Sequence, residues 1–231
     1  MAKVIALTQA RTGSSRFYGK VLKVIEDKTL LEIHIDRLKQ ASLIDEIFIA
    51  TTTKSSDDEI QNIANQNGLK YFRGSENDVL DRLYKTVNQI EHEKPELIVR
   101  ITSDCPLIDP LLIDEMISSA KKRKLDYYSN TLEERYPDGQ DIEIFTFEAL
   151  ERAWVEASSK SDREHVTPYI INNSTYKGGK KFHSDNHFLD EDYNKVRLTV
   201  DEPNDFEVIK LLISNLGLNM RWYEYAEFYI N

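Results

Sequence analysis

Residues 4–20 of this 231-residue chain read VIALTQARTGSSRFYGK, and this stretch decides the fold. Its start, Val4–Leu7, is wholly apolar, which predicts a buried strand. The residues after the strand, 9–20, hold two arginines, two glycines, a lysine and several hydroxyls. Small residues let backbone N–H groups approach phosphate oxygens, and arginine and lysine neutralise phosphate charge. Residues 9–20, called the basic loop below, therefore favour a polyphosphate ligand; the alternative is a solvated cationic loop.

Two common phosphate-binding motifs are excluded for this loop. Five residues separate Gly13 from Gly19, where a P-loop requires four, and Val21 stands where a P-loop has serine or threonine. No Gly-x-Gly-x-x-Gly follows the first strand, so the dinucleotide-binding fingerprint is missing too. Any phosphate site here is of another kind.

Composition narrows the class of protein. The formal net charge is -10, which argues against a nucleic-acid partner, and hydrophobic residues make up 40%, enough for a sizeable core. We see no apolar run of transmembrane length and no signal peptide, so we expect no membrane partner and a cytoplasmic location. Cys105 is the only cysteine, which excludes an internal disulfide and favours a buried structural thiol.

Strand and helix patterns alternate through the first half of the chain. The predicted strands are Val4–Leu7, Ile47–Ala50, Lys70–Phe72 and Leu97–Thr102, and the predicted helices are Leu30–Ala41, Asp57–Asn67, Asp78–Ile90 and Leu111–Lys122. This order predicts an α/β fold with a mostly parallel central sheet flanked by helices. Parallel sheets bind ligands at the carboxyl ends of their strands, so the loops after Leu7 and Thr102 are expected to face one cleft.

The second half of the chain is less regular. We predict strands at Asp126–Asn130, Asp141–Phe145 and Val196–Val200, and helices at Phe147–Ser158, Asp162–Asn173 and Pro203–Leu216. Residues 1–231 are interpreted as one domain, in which a segment of about 126–190 is an insertion that covers the cleft or contacts a second subunit. The aromatic stretch 222–229 has helical spacing and is expected to pack against the body or a second subunit.

Two aspartates follow predicted strands. Asp104 comes just after Leu97–Thr102, and Asp201 just after Val196–Val200. Taken singly, Asp104 could satisfy its turn and Asp201 could cap the next helix. Together with the basic loop they predict a Mg²⁺ site, because Mg²⁺ is typically held by one or two carboxylates plus substrate phosphates.

The chain resembles the cytidylyltransferase family typified by the spore coat polysaccharide biosynthesis protein SpsF, which is related to CMP-Kdo synthetases. The resemblance rests on residues 9–20, 50–52, 73–82, 99–110, 137–139, 163–169 and 197–205, in the family's order. It implies a nucleotide-diphospho-sugar transferase fold and transfer of CMP from CTP to a sugar, sugar acid or phosphorylated acceptor. It further implies release of pyrophosphate, surface polysaccharide synthesis, Mg²⁺ as cofactor and a homodimer.

The same resemblance assigns residues to roles. The catalytic residues are Arg11, Lys20, Asp104 and Asp201, of which Asp104 and Asp201 bind the metal. The nucleotide contacts are Gln9, Ala10, Arg11, Gly13, Ser14, Arg16, Lys20, Thr52, Arg73, Gly74, Asp78, Thr102 and Ser103. The acceptor contacts are Asp138, Arg163, Glu164 and His165. For His165, acceptor binding or a local hydrogen bond is favoured over proton transfer.

The chain departs from the family pattern in three places. Phe17-Tyr18 replaces Leu-Pro at the loop end, Ser103 replaces alanine and Glu202 replaces threonine. The lost proline frees one backbone φ, so the empty loop is expected to be more mobile. Two other functions stay open: a non-catalytic nucleotide-binding module of the same fold, and a transferase that uses another nucleoside triphosphate.

Overall fold

Strand β1 (Val4–Gln9) is the third strand of a seven-stranded sheet in the computed structural model, which describes residues 3–90 and 94–230. The other strands are β2 (Val24–Ile25), β3 (Lys28–Thr29), β4 (Glu46–Thr52), β5 (Lys70–Gly74), β6 (Leu97–Thr102), β7 (Tyr127–Ser129), β8 (Glu143–Thr146) and β9 (Ser184–Asn186). The sheet runs in the order β5-β4-β1-β6-β8-β7-β9, and β2 pairs separately with β3. Strands β5, β4, β1 and β6 are mutually parallel, while β8 is antiparallel to β6 and β7. The predicted mostly parallel α/β sheet is confirmed.

Nine α-helices accompany these strands in the described part of the chain. They are α1 (Leu30–Leu38), α2 (Asp58–Gln66), α3 (Val79–Asn88), α4 (Pro110–Arg123), α5 (Phe147–Glu156), α6 (Lys160–His165), α7 (Pro168–Asn172), α8 (Pro203–Leu216) and α9 (Trp222–Ile230). Local sequence sets where several of them begin. Thr29 and Glu32 form a capping box at α1, and the side chain of Asp109 accepts from the first N–H groups of α4.

The core lies on both faces of the sheet, as alternation along β1 requires. Val4 and Ala6 pack in one buried cluster, whereas Ile5 and Leu7 pack in another. The expected packing role of the aromatic C-terminal stretch is also confirmed, because Trp222 in α9 is buried in the first cluster. With both faces covered, ligand access is left to the edge where the strands end.

Two predicted elements are wrong. Residues 196–200 form no strand of the sheet; their contacts are with loops, including a single bridge between Arg197 and Asp138. The predicted helix Asp162–Asn173 is two helices, α6 and α7, because the chain turns at Val166 (φ 77°) and restarts at Pro168. Proline suits the first turn of a new helix, which fits Pro168 as the first residue of α7.

The segment 126–190, predicted as an insertion, supplies β7, β8 and β9 to the same central sheet. Its helices α5 and α7 pack on the face that includes Ile5 and Leu7. Within residues 3–90 and 94–230, none of the helices combines the length and the apolar character needed to cross a membrane.

Candidate active site

A cavity of about 310 Å³ lies where β1 and β6 end. It is lined by much of the basic loop and by the turn after β6, so the predicted convergence of these two loops on one cleft is seen. The predicted site residues that line it are Gln9, Ala10, Arg11, Ser14, Arg16, Lys20, Thr102, Ser103, Asp104, Glu164, His165 and Asp201. Those that do not line it are Gly13, Thr52, Arg73, Gly74, Asp78, Asp138 and Arg163.

Lys20 joins the two predicted metal ligands. Its Nζ donates to Oδ2 of Asp104 at 2.8 Å and to Oδ1 of Asp201 at 2.9 Å. Burial acts to lower the pKa of Lys20, but the two carboxylates outweigh it and raise that pKa above its ordinary value. Burial likewise acts to raise the pKa of Asp104, and the Lys20 charge outweighs it, so that this pKa lies below its ordinary value. Lys20 and Asp104 therefore stay charged at neutral pH.

Backbone contacts bring Asp201 to Asp104 across the chain. The N–H of Val200 donates to the Asp104 carbonyl at 2.9 Å, and the Thr199 hydroxyl donates to the same oxygen at 3.1 Å. The expectation that Asp201 ends a sheet strand is thus wrong: it ends an extended segment bonded to a turn. Asp201 does not cap α8 either, since the N-cap is Glu202. Its carboxylate is left to face Lys20.

Arginines surround the outer side of Asp201. Arg16 of the basic loop lies 2.8 Å from its carboxylate. Arg197 lies 3.5 Å from the same carboxylate and pairs more closely with Asp205, at 3.1 Å, and Asp138, at 2.6 Å. The carboxylates beside Arg197 raise its pKa, Asp205 most strongly. Asp138, predicted to bind the acceptor, therefore neutralises Arg197 instead of lining the cavity.

Asp57 anchors the basic loop through hydrogen bonds. From the sequence, this residue was predicted only to begin a helix. Asp57 is 1% exposed and accepts from the N–H and hydroxyl of Thr12. The Thr52 hydroxyl donates to its other oxygen. Thr52, predicted to contact nucleotide, thus anchors the loop through Asp57. The sequence pattern could have predicted this contact, because a threonine at the end of a strand and an aspartate at the start of the next helix lie at the same edge of a parallel sheet.

Some residues of the stretch 73–78 line the cavity, and others make structural contacts outside it. Arg73 donates to the carbonyls of Thr52 and Lys54 and pairs with Asp58, all outside the cavity. Gly74 lies beneath Arg82, and Asp78 caps α3. Glu76 and Asn77, between them, do line the cavity.

Arg163 fixes the position of α6 instead of lining the cavity. Its guanidinium pairs with both oxygens of Asp78 and donates to the Trp154 carbonyl. This ties α6 to the start of α3 and leaves its neighbours Glu164 and His165 at the cavity. Of the three neighbouring residues predicted to contact the acceptor, Arg163 therefore has a structural role, and Glu164 and His165 line the cavity.

Of two predicted nucleotide contacts near the end of β1, Gln9 lines the cavity and Gly13 does not. The Gln9 side-chain oxygen accepts from Arg100 at 3.2 Å, and Arg100 is ion-paired with Glu143. Gly13 is not in the lining; a Cβ there would lie 3.3 Å from Oε1 of Glu76, so this glycine leaves room for that carboxylate.

Cys105 is buried as predicted, and burial raises the pKa of its thiol well above the usual value, which leaves it inert.

Arg82 also lines the cavity and was missed by the sequence reasoning. It stands on α3, a helix whose buried face carries Val79, Leu83 and Val87. Helical spacing places residue 82 on that same face, three positions after Val79. A charged residue on an apolar face was the signal that could have found it.

The sequence profile of the cytidylyltransferase family matches residues 5–227. The chain belongs to the cytidylyltransferase family. It is 33% identical over 222 residues to the spore coat polysaccharide biosynthesis protein SpsF of Bacillus subtilis, covering 94% of this chain and 89% of that protein. It is 42% identical over 209 residues to the uncharacterized protein MJ1063 of Methanocaldococcus jannaschii, covering 89% of this chain and 81% of that protein.

A solved structure shows the same fold. The cytidylyltransferase from Leptospira borgpetersenii serovar Hardjo-bovis superposes with a TM-score of 0.89 at 33% identity, covering 99% of this chain and 94% of that one. The predicted nucleotide-diphospho-sugar transferase fold is thereby confirmed for this cytidylyltransferase.

Proposed function

We propose that this cytidylyltransferase transfers CMP from CTP to an oxygen of a small sugar, sugar acid or phosphorylated acceptor, with release of pyrophosphate, in surface polysaccharide synthesis. The observation that carries the proposal is Lys20, which bonds Asp104 and Asp201 at the cavity beneath an arginine-bearing loop. The named role of the similar SpsF protein in spore coat polysaccharide biosynthesis supports the pathway class.

We propose Mg²⁺ as the cofactor, with Asp104 and Asp201 as its protein ligands. The donor set fits: two hard anionic oxygens already share one cation, the Lys20 ammonium. Among the described residues, no three His, Cys, Asp or Glu side chains gather as a metal cage. Mg²⁺ is typically bound by one or two carboxylates and takes its other ligands from phosphates and water. When bound, Mg²⁺ would neutralise and polarise the α-phosphate.

The protein's own cations would bind the triphosphate. Arg11, Arg16 and Lys20 are each held near a carboxylate, at 3.7, 2.8 and 2.8 Å, so phosphate oxygens would replace existing partners instead of ordering free side chains. As the acceptor oxygen attacks the α-phosphorus in line, negative charge builds on the departing pyrophosphate. Arg11 and Lys20 would stabilise that charge, each contributing on the order of 10²-fold in rate.

Glu164 and His165 would contact the acceptor at the open side of the cavity. Both line it, and both stand on α6, which the Arg163–Asp78 pair fixes to α3. We propose that His165 binds the acceptor or makes a local hydrogen bond, because positioning and charge neutralisation suffice for this substitution at phosphorus.

We also propose that the chain acts as one nucleotidyltransferase domain in a cytoplasmic homodimer. Ile230, 63% exposed, and Leu211, 57% exposed, are apolar side chains that a second subunit would cover. Light scattering coupled to gel filtration would give twice the chain mass of 26.9 kDa, and a monomer would refute the assembly.

The reaction is tested by CTP turnover against a panel of sugar acids and phosphorylated acceptors, with and without EDTA. Pyrophosphate release that needs acceptor and divalent metal is expected, and competition among the four nucleoside triphosphates reports base choice. Asp104→Asn should abolish turnover, whereas Asp58→Asn, a change at an exposed carboxylate outside the cavity, should not. CTP binding without turnover over the whole panel would favour a non-catalytic module.

A further inference from the structure

The arginine and lysine side chains that line the cavity differ in their partners. Arg11, Arg16 and Lys20 each have a carboxylate within 4 Å. Arg82 has no such carboxylate among residues 3–90 and 94–230, although it is only 2% exposed. It is thus the cation of this cavity whose charge the described protein leaves unpaired.

Arg82 is held in place by its stem and by one carbonyl. Its Nη1 donates to the Ser75 carbonyl at 2.5 Å, while its buried Nε finds no hydrogen-bond partner among the described residues. Gly74 makes room for the stem: a Cβ there would lie 3.0 Å from Cγ of Arg82 and 2.8 Å from the Phe72 ring. The chain therefore reserves space for this side chain without supplying its counter-charge.

A buried charge without a partner is unfavourable. Burial and, next in size, the nearby Arg11 charge lower the pKa of Arg82 to about 10, while Asp57 and Glu76 act in the other direction. The guanidinium still carries its proton at neutral pH. A ligand that brings an acceptor oxygen into the cavity would give the Arg82 guanidinium the hydrogen-bond partner that it lacks in the described protein.

We propose that Arg82 is a nucleotide-binding residue whose guanidinium donates hydrogen bonds to an oxygen of CTP. The assignment rests on the proposed function, because it takes CTP as the occupant of this cavity. Three parts of CTP offer such an oxygen: the phosphates, the ribose hydroxyls and the carbonyl of the cytosine ring. Loss of a charged hydrogen bond of this kind weakens binding by about tenfold to a hundredfold.

The test compares Arg82→Met with Arg37→Met. Arg37 is also 2% exposed, but it donates to the carbonyls of Ile108, Leu218 and Met220 and lies outside the cavity. Arg37→Met should lower the melting temperature and leave the Kd for CTP within about twofold. Arg82→Met should do the reverse: a melting temperature near that of the parent protein, and a Kd raised at least about tenfold in calorimetry.

The ligand series assigns the oxygen. Equal fold losses for cytidine and CTP, measured by competition, would place Arg82 on the nucleoside, at the cytosine carbonyl or the ribose, whereas a loss confined to CMP and CTP would place it on phosphate. Should Arg82→Met fail to fold, Arg82→Lys, which keeps the charge and loses the planar fork, carries the same expectation.

The two proposals fail separately. If the parent protein binds CTP and the folded Arg82 variants bind it equally well, Arg82 is a structural residue and the inference is wrong. If the parent protein binds no CTP, the proposed function is refuted first and the Arg82 assignment falls with it.

Discussion

Asp57 accepts two hydrogen bonds from Thr12, one from its backbone N–H at 2.8 Å and one from its hydroxyl at 2.6 Å. This pair joins the residue just before α2 to the start of the basic loop. Burial acts to raise the pKa of Asp57, but the hydrogen bonds from Thr12 and Thr52 outweigh it, so the pKa is lowered and the carboxylate stays charged. The basic loop is thereby anchored at Thr12 by a carboxylate that does not line the cavity.

Asp57→Asn should loosen the basic loop. An amide offers one acceptor oxygen where the carboxylate serves both Thr12 and Thr52, so a buried hydroxyl loses its partner. The free energy of unfolding should fall by about 1–3 kcal/mol, and the KM for CTP should rise. Asp58→Asn, at a neighbouring exposed carboxylate, is the control for urea denaturation and kinetics. Equal behaviour of the two variants would show that Asp57 does not brace the loop.

Lys20→Met should cost on the order of 10²-fold in kcat/KM for pyrophosphate release. Without the ammonium, the carboxylates of Asp104 and Asp201 lose the charge that they share, and the pKa of Asp104 should rise. The acid limb of the pH–rate profile should then move to higher pH. Lys23→Met, at an exposed lysine over the Phe17 ring, should leave both measurements unchanged. A fully active Lys20→Met would remove Lys20 from the catalytic set.

The alternating first half of the chain was predictable because each strand is an apolar run and each helix has a clear apolar face. Carboxyl ends of parallel strands meet at one edge, which is why Lys20 and Asp104 could be placed in one cleft before the structure was known. The segment 196–200 misled because Val-Arg-Leu-Thr-Val alternates like a strand. Its N–H groups instead reach the carbonyls of Asp138 and Asp104, which are in loops, and no periodicity reveals that partner.

The charged residues among the predicted site residues outside the cavity share a physical cause, an ion pair. Motif spacing shows which residues are near a ligand edge but not which way each side chain points. Arg73, Arg163 and Asp138 each pair with a charged partner outside the cavity lining, at 2.7, 2.7 and 2.6 Å. Glu164 and His165, the residues after Arg163, do line the cavity. The sequence therefore located the region, whereas the ion pairs determine which of its side chains face the cavity.

His34 should make stability depend on pH. It is wholly buried, between the Thr8 hydroxyl at 3.0 Å and the Cys105 carbonyl at 2.9 Å. Burial lowers its pKa to about 4, against a model-peptide value of about 6.5 for the unfolded chain. The unfolded state therefore binds more protons between these values, and stability is lost as pH falls from about 6.5 toward 4.

The expected size of this effect is about 2 kcal/mol less stability at pH 5 than at pH 7. Urea denaturation at the two pH values measures it, with His34→Gln as the non-titrating reference. Two other groups titrate in both proteins and cancel in the comparison: His187, whose pKa is lowered by burial, and Asp141, whose pKa burial and nearby carboxylates raise to about 7. An identical pH dependence in the two proteins would contradict the assignment.

Gly139→Ala should disturb the site from outside it. Gly139 has φ 105°, and a Cβ there would lie 2.5 Å from the Leu198 carbonyl carbon and 2.6 Å from the Thr199 nitrogen. Gly178 has φ 78° with nothing within 4 Å of its Cβ position, so Gly178→Ala reports the left-handed strain alone, about 1 kcal/mol.

Gly139→Ala carries that strain plus a backbone clash, and should lose about 3 kcal/mol or more of unfolding free energy. The clash pushes on the segment that delivers Asp201 to Lys20, so the surviving folded enzyme should also lose turnover. Because Gly178 ends the short helical turn Thr175–Lys177 and does not line the cavity, its variant should keep full turnover per folded molecule. Denaturation curves and CTP turnover normalised to the folded fraction measure both effects. Matching losses in the two alanine variants would mean that the contact between Gly139 and Leu198 does not set the position of Asp201.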